Sequence, residues 1–460
     1  MLEILFLVNS FWMTLILLTA KSLIKSMKNQ NLQKTLPLKG IYWYYFIERD
    51  YVMKNRIYPR EKYLSKMRPF YDSDIVKVIT GIRRSGKSSI LKLVIEELGK
   101  RGLRDRIIYL PLDQRGFKDI VTPEILEKRI EEQIKDSNKY YLIIDEVQNV
   151  KGFEKVVLQY EEEGFSIFLT GSNSYLLSDE ISTKLTGRYV TFETYPLDFN
   201  EYIEMKKFFN KEIHDDINKE FNSYIVEGGF PKAIEFDELS AKQFYTKEII
   251  HEIFMKDVKT RNRISNKALF ERVQSYIINN YSSPFSLKNF YDSLISSGIK
   301  TKLITIKNYI EILKKAKLVY ECNRFDLKTK KSLLRDQKYY LADLALYFST
   351  NVDNSLNYGA SLENLVYLYF VSNGYQVSVG RIGRFECDFI LRKQNGDYAY
   401  VQVTYAMSGN EKVKEREYRP FREIKDGYPR YIISLDLFKD QQEGVHHINA
   451  IDLFLGKEII

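Results

Sequence analysis

Residues 81–88 read GIRRSGKS, and this string constrains the chain more than any other stretch. It fits G-x-x-x-x-G-K-[ST], in which each fixed position answers a demand of a phosphate chain. Gly81 and Gly86 permit positive φ and close backbone approach, because neither has a Cβ. The loop's N–H groups turn inward as a nest for the β-phosphate. Lys87 would reach the β- and γ-phosphates, and Ser88 would hold Mg²⁺. The nucleotide-binding stretch is therefore Gly81, Ile82, Arg83, Arg84, Ser85, Gly86, Lys87, Ser88 and Ser89. A Gly-rich turn could show the same letters, so the flanks decide. Asp74-Ile-Val-Lys-Val-Ile-Thr80 is apolar and β-branched, which predicts a buried strand. Ile90, Leu91, Val94, Ile95 and Leu98 recur at helical spacing after the loop. Strand, loop and helix stand in the order the chemistry requires.

A second acidic site agrees. Tyr140-Tyr-Leu-Ile-Ile-Asp-Glu146 is an apolar strand ending in two carboxylates, 58 residues beyond Lys87 at Asp145. Asp145 would bind Mg²⁺ through water, and Glu146 would polarise an attacking water. A base at the second position points to hydrolysis rather than binding alone. A third strand, Phe165–Thr170, turns polar at its C-terminal end. Ligands of open α/β sheets sit at such ends. Thr170, Ser172 or Asn173 could there sense the γ-phosphate or place the water. In Lys184-Leu-Thr-Gly-Arg188, Arg188 is a candidate arginine finger from a neighbouring subunit, against the plainer reading of a solvated loop residue. Arg83 and Arg84 could touch nucleotide or be ordinary loop arginines.

The strings GIRRSGKS, YLIIDEVQNV, FLTGSNSYLLS, KLTGR, YPLDFNEY and VEGGFP occur in this order. Together they resemble a family of prokaryotic AAA-type ATPases that carry a C-terminal restriction-endonuclease-like domain. The resemblance runs from about residue 53 to the end. It implies an α/β chain: a P-loop NTPase (AAA-type) parallel-sheet core at 53–195, a helical lid at 196–261, a winged helix at 262–345 and a degenerate nuclease-like α/β domain at 346–460. It also implies ATP, rather than GTP, as the nucleotide.

A chain of 460 residues exceeds one small core and suggests several domains. With 44% hydrophobic and 28% charged residues it is globular rather than disordered. Cys322 and Cys387 are the only cysteines, which excludes a disulfide framework and a zinc quartet and fits a cytoplasmic protein. Adjacent His446 and His447 read as surface residues. The net charge of +9 permits a nucleic-acid partner without requiring one.

Residues 1–52 form an apolar and basic extension. Leu2 to Ala20 is nearly continuously apolar, interrupted mainly by Glu3, Asn9 and Ser10. As a membrane anchor over 2–20 it is barely long enough. As a secretory signal it lacks a basic start. The favoured expectation is that translation begins at Met53, where the resembled family usually starts.

Beyond the core, Pro196 to about Asp257 is helical in pattern, and Gly228-Gly-Phe-Pro231 breaks it as a helix end and rigid turn. Between Lys302 and Arg335 stand ten basic residues against three acidic ones. A third helix at Thr305–Leu318 and wing strands at Val319–Phe325 and Lys338–Leu341 would present Lys302, Lys307, Lys314, Lys315, Lys328 and Lys330 to duplex DNA phosphates. A packing module with a solvated basic face is the equal alternative.

The nuclease pattern asks for a helix Glu, a strand Asp and then Glu/Asp-x-Lys, the carboxylates holding Mg²⁺. The chain offers Glu363, Glu386 and Asp388, but Gln402-Val-Thr404 stands where Glu-x-Lys should. Uncharged Gln402 is a poor ligand for a hard cation, so cleavage is not expected.

The expected function is an Mg²⁺-dependent ATPase acting as a switch or motor, with DNA and a homo-oligomer as candidate partners. The alternatives are a nucleotide-gated signalling module with slow hydrolysis and an ATP-gated nuclease.

Overall fold

The computed structural model describes residues 56–171, 185, 187–255, 264, 266–351, 357–393, 396–439 and 441–460. The elements below lie in the compact unit Tyr58–Ile460. The expectations for residues 1–52, for a start at Met53, for Ser172 and Asn173, and for Lys184 and Thr186 of the KLTGR string fall outside the described residues. Among the described residues no helix is long and apolar enough to cross a membrane.

The first half follows α1 (Glu61–Met67), β1 (Val76–Gly81), α2 (Lys87–Lys100), β2 (Ile107–Pro111), α3 (Pro123–Glu131), β3 (Tyr141–Asp145), α4 (Phe153–Glu162), β4 (Ser166–Thr170) and β5 (Tyr189–Thr194). Its strands form one five-stranded sheet in the order β2-β3-β4-β1-β5, and every pairing is parallel. β1, β3 and β4 are buried along their whole length. Unbroken apolar runs of this kind suit strands covered by helices on both faces. Consequently the loop after β1, the carboxylates after β3 and Thr170 at the end of β4 emerge side by side. Gly81 shows how tightly this end is built. Its φ is +138°, and a Cβ there would stand 2.1 Å from the Thr194 carbonyl of β5.

A helical layer follows: α5 (Phe199–Phe208), α6 (Ile217–Glu227) and α7 (Leu239–Glu252). A reciprocal cap of Asp198 and Glu201 starts α5. The turn after α6 is packed rather than loose. A Cβ on Gly229 would lie 2.2 Å from the Leu197 carbonyl. Pro231, in the same turn, lies beside Gly86 of the phosphate loop.

The remainder runs α8 (Lys267–Asn279), α9 (Leu287–Ser296), α10 (Leu303–Lys315), β6 (Val319–Asp326), β7 (Lys331–Leu341), α11 (Ala345–Thr350), α12 (Tyr358–Ser372), β8 (Gln376–Ile382), β9 (Phe385–Arg392), β10 (Tyr398–Val403), α13 (Glu411–Arg422), β11 (Arg430–Ser434), β12 (Val445–Asn449) and α14 (Ala450–Phe454). The strands make one mixed seven-stranded sheet, ordered β12-β11-β10-β9-β8-β6-β7.

That sheet corrects the expected boundary between a winged helix at 262–345 and a separate domain at 346–460. The β6–β7 hairpin is not a wing standing clear of the body. Arg324–Asp326 of β6 pair in parallel with Val379–Arg381 of β8, which satisfies an edge a separate wing would leave open. Tyr340 of β7 stacks on Tyr367 of α12 with ring centroids 4.1 Å apart. One continuous apolar core joins α5–α10, the hairpin and α12 to this sheet. A second correction concerns histidine. His446 is exposed, but His447 is 1% exposed, with Nε2 2.8 Å from the Ser434 hydroxyl.

Candidate nucleotide site

The phosphate loop closes on itself. Lys87 Nζ donates to the carbonyls of Gly81 at 2.9 Å and Ile82 at 3.1 Å. These two contacts hold the ammonium at the carbonyls of its own loop. Ser88 Oγ donates to Asp145 Oδ1 at 3.1 Å, so the first residues of α2 and the end of β3 meet directly. Thr170 of β4 donates its hydroxyl to the same Asp145 oxygen and accepts from Glu146 N–H at 3.0 Å. Asp145 is 3% exposed. Burial pushes its carboxyl above the usual range, while the hydroxyls of Thr170 and Ser88 pull the other way. The Ser88 hydroxyl and the Asp145 carboxylate are hard oxygen donors at one point, a set that fits Mg²⁺.

Glu146 follows in the left-handed region at φ 57°. Such a backbone costs about 1 kcal/mol or more for a non-glycine residue, and it is common at working sites. The Gln148 amide donates to the Glu146 carboxylate. Thr170 thus belongs to the positioning of Asp145 and Glu146; Ser172 and Asn173 lie outside the described residues.

Other members of the sequence set stand elsewhere. Ser85 Oγ is 2.8 Å from Thr194 Oγ1 and Ile82 is fully buried in the apolar core, so only their backbone can serve a phosphate. Arg84 pairs with Glu252 of α7 at 3.0 Å. Ser89 is half-buried within α2, and Arg83 is half-buried in the loop. Arg188, the candidate finger for a neighbouring subunit, stands apart from the phosphate loop of its own chain. It precedes β5, and its carbonyl accepts from Val76 N–H at the start of β1. It therefore sits at the opposite end of the sheet from the loop that follows Gly81. There its guanidinium pairs with Glu161 and Glu162, each at 2.9 Å.

One central residue escaped the sequence reading. Arg60, 4% exposed, donates to the Ser85 carbonyl at 2.9 Å, to the Tyr195 carbonyl at 2.8 Å and to both oxygens of Glu201. It ties the backbone of the phosphate loop to the first turn of α5. Pro59-Arg60 carries no local motif, and Glu201 lies 141 residues away.

The acidic residues of the C-terminal half do converge. Glu363 of α12 and Glu386 and Asp388 of β9 all face Lys338 of β7. Gln402 accepts from Asp388 N–H at 2.7 Å and donates to Glu417 at 2.8 Å. Of the six candidate DNA lysines, Lys302, Lys307, Lys315, Lys328 and Lys330 are exposed. Lys314 is not available in the same way, because Glu311 and Glu321 hold it.

Comparison with known proteins adds two family matches, each over part of the chain. Residues 73–203 match an AAA domain, and residues 218–355 match a domain of unknown function, DUF8612. An uncharacterized protein of Haemophilus influenzae is 30% identical over 408 residues, covering 88% of this chain and all of that one. An uncharacterized protein of Methanocaldococcus jannaschii is 32% identical over 388 residues, covering 82% and 85%. Among solved structures, the Aeropyrum pernix Orc1 protein in complex with DNA aligns with 66% of this chain and 94% of its own at 14% identity and TM-score 0.32. AMPPCP-bound DnaA from Aquifex aeolicus aligns with 59% and 93% at 16% identity and TM-score 0.30. At these scores the superpositions carry no argument for this chain.

Proposed function

The chain belongs to the same family as the Haemophilus influenzae and Methanocaldococcus jannaschii proteins and carries an AAA domain; on that premise we propose that it binds ATP with Mg²⁺ and hydrolyses it to drive a conformational change. The observation that supports this most is the meeting of Lys87, Ser88, Asp145, Glu146 and Thr170 at the C-terminal ends of three neighbouring parallel strands. A buried phosphate site at strand ends is where α/β sheets bind such ligands.

In this reading Lys87 leaves the carbonyls of Gly81 and Ile82 for the β- and γ-phosphates. Loop N–H groups between Gly81 and Ser89 cradle the phosphate chain. Ser88 and Asp145 would hold Mg²⁺, which supplies charge neutralisation on the phosphates. Glu146 accepts a proton from the attacking water, and Thr170 fixes its backbone. A nucleotide that reshapes the loop pulls on Arg60 and Arg84, which connect it to α5 and α7. Arg188, distant from its own loop, would serve only the site of a neighbouring copy. The exposed lysines Lys302, Lys307, Lys315, Lys328 and Lys330 offer duplex DNA a phosphate-binding face on the α8–α10 and β6–β7 module.

The test is a pair of substitutions. Lys87→Ala should weaken ATP binding by about tenfold or more, the loss of a charged hydrogen bond. Glu146→Gln should bind ATP as before and lose turnover by about 10²–10⁴-fold. Retained turnover would remove Glu146 as the base.

A further inference from the structure

The carboxylates named from the sequence as a nuclease pattern already hold a cation, and it comes from the chain. Lys338 Nζ lies 2.9 Å from Glu363 Oε1, 2.9 Å from Glu386 Oε1 and 3.8 Å from Asp388 Oδ1. The lysine side chain is only 4% exposed. It stands on β7, outside the pattern that the sequence suggested. Burial opposes its charge, but Glu363, Asp388 and Glu386 outweigh that and hold the ammonium protonated far above the ordinary lysine range.

The oxygens around it are engaged as well. Tyr340 donates its hydroxyl to Glu363 Oε1 at 2.7 Å. Arg324 of β6 donates to Glu386. Val403 N–H donates to Asp388 Oδ2 at 2.8 Å. Gln402 is turned into the protein, toward Asp388 N–H and Glu417. A divalent cation requires several oxygens at about 2.0–2.6 Å and cannot share that space with an ammonium. The residues present therefore do not fit the metal that the nuclease pattern implies.

We propose that Lys338 is a built-in replacement for a divalent cation, an ionic lock that fastens β7 to α12 and β9 and leaves this half of the chain without metal-dependent hydrolysis of nucleic acid. Two features make the reading specific. The lysine and its carboxylates come from three separate elements, so the pair does structural work that a local helix pair could not. Arg324 from β6 also reaches Glu386, so both strands of the hairpin are tied to β9. The consequence for the sheet is direct: the hairpin joins the C-terminal half as a fixed part rather than as a hinged wing.

The experiment titrates the full chain with Mn²⁺ in the absence of nucleotide and reads the unbound ion by electron paramagnetic resonance. Wild type should show no binding that Asp388→Asn removes. Lys338→Met leaves the carboxylates facing one point and should take up one Mn²⁺ per chain, at least about tenfold more tightly than wild type. That uptake should vanish in Lys338→Met combined with Asp388→Asn. Wild-type binding that Asp388→Asn abolishes would overturn the proposal, and so would a folded Lys338→Met that takes up no ion. If Lys338→Met does not fold, the wild-type titration decides, together with duplex DNA incubated with wild type and Mg²⁺ or Mn²⁺. No cleavage is expected. Cleavage that Asp388→Asn removes would overturn the lock.

Discussion

Two lysines of this chain, one opening helix α2 and the other within strand β7, are held in opposite ways. Lys87 rests on the carbonyl oxygens of its own loop. Lys338 is clamped by Glu363 and Glu386, with Asp388 close behind. A carbonyl competes weakly with a phosphate for an ammonium, whereas buried carboxylates do not let go without leaving charge unpaired. Under the proposed function the first lysine moves to the phosphates of a ligand, whereas the second is part of the fold. The same contrast separates Asp145, whose partners are the hydroxyls of Ser88 and Thr170, from Glu363, whose partners are an ammonium and a phenol.

The largest effect expected from this contrast is on stability. Lys338→Met should cost about 3–5 kcal/mol, the penalty for a buried ionic group stripped of its partner, measured by urea unfolding. Lys87→Met should change stability by less than about 1 kcal/mol. Equal losses in the two variants would break the comparison.

A buried carboxylate with no cation partner among the described residues sharpens it further. Asp343, 3% exposed, accepts from the backbone N–H groups of Gly229 and Ala345. Burial pushes its carboxyl up to about 7, against those two hydrogen bonds. The folded state thus binds a proton that the unfolded state releases near the ordinary value of 3.8. Its contribution is complete below that value and is lost as pH rises through about 7. Unfolding free energy should therefore fall across that window, and Asp343→Asn should flatten this part of the profile. A wild-type curve that rises through the window by the amount Asp343→Asn removes would contradict the assignment.

Arg60 lies between the two extremes, because it serves both the loop and Glu201. Arg60→Lys keeps the charge but loses the fork geometry, at a cost of about 1–3 kcal/mol. It should also lower turnover more than it weakens ATP binding, since the loop persists while its tie to α5 does not. A change in binding alone would make Arg60 a part of the fold and nothing more. The smallest effects belong to the exposed lysines. Each of Lys302→Ala, Lys307→Ala and Lys315→Ala should reduce the salt slope of duplex DNA binding by about 0.9. A slope that none of them moves would assign this face to packing or solvent.

The candidate nucleotide site was legible because phosphate chemistry writes itself locally. Gly81, Gly86, Lys87 and Ser88 fall within eight residues, and Asp145 with Glu146 ends an unmistakably apolar strand. In the C-terminal half the helix expected at Thr305–Leu318 and the strand expected at Val319–Phe325 were legible for the same local reason, as α10 and β6. What escaped depends on distance along the chain. Lys338 meets Glu363 across 25 residues, and Glu386 and Asp388 across a sheet whose order no periodicity reveals. The wing was misjudged because a strand's letters do not tell whether its edge is open or paired to β8. His447 was misjudged because alternation fixes that adjacent strand residues face opposite ways, but not which face is covered.

The most direct test of the contrast is steady-state ATP hydrolysis by the wild-type chain beside Lys87→Met, with the melting temperature of each recorded in the same buffer. The account predicts Mg²⁺-dependent turnover in wild type, its loss in Lys87→Met, and melting temperatures within about 2 °C of one another. Turnover that survives the loss of Lys87 would contradict the claim that this lysine is kept for the nucleotide.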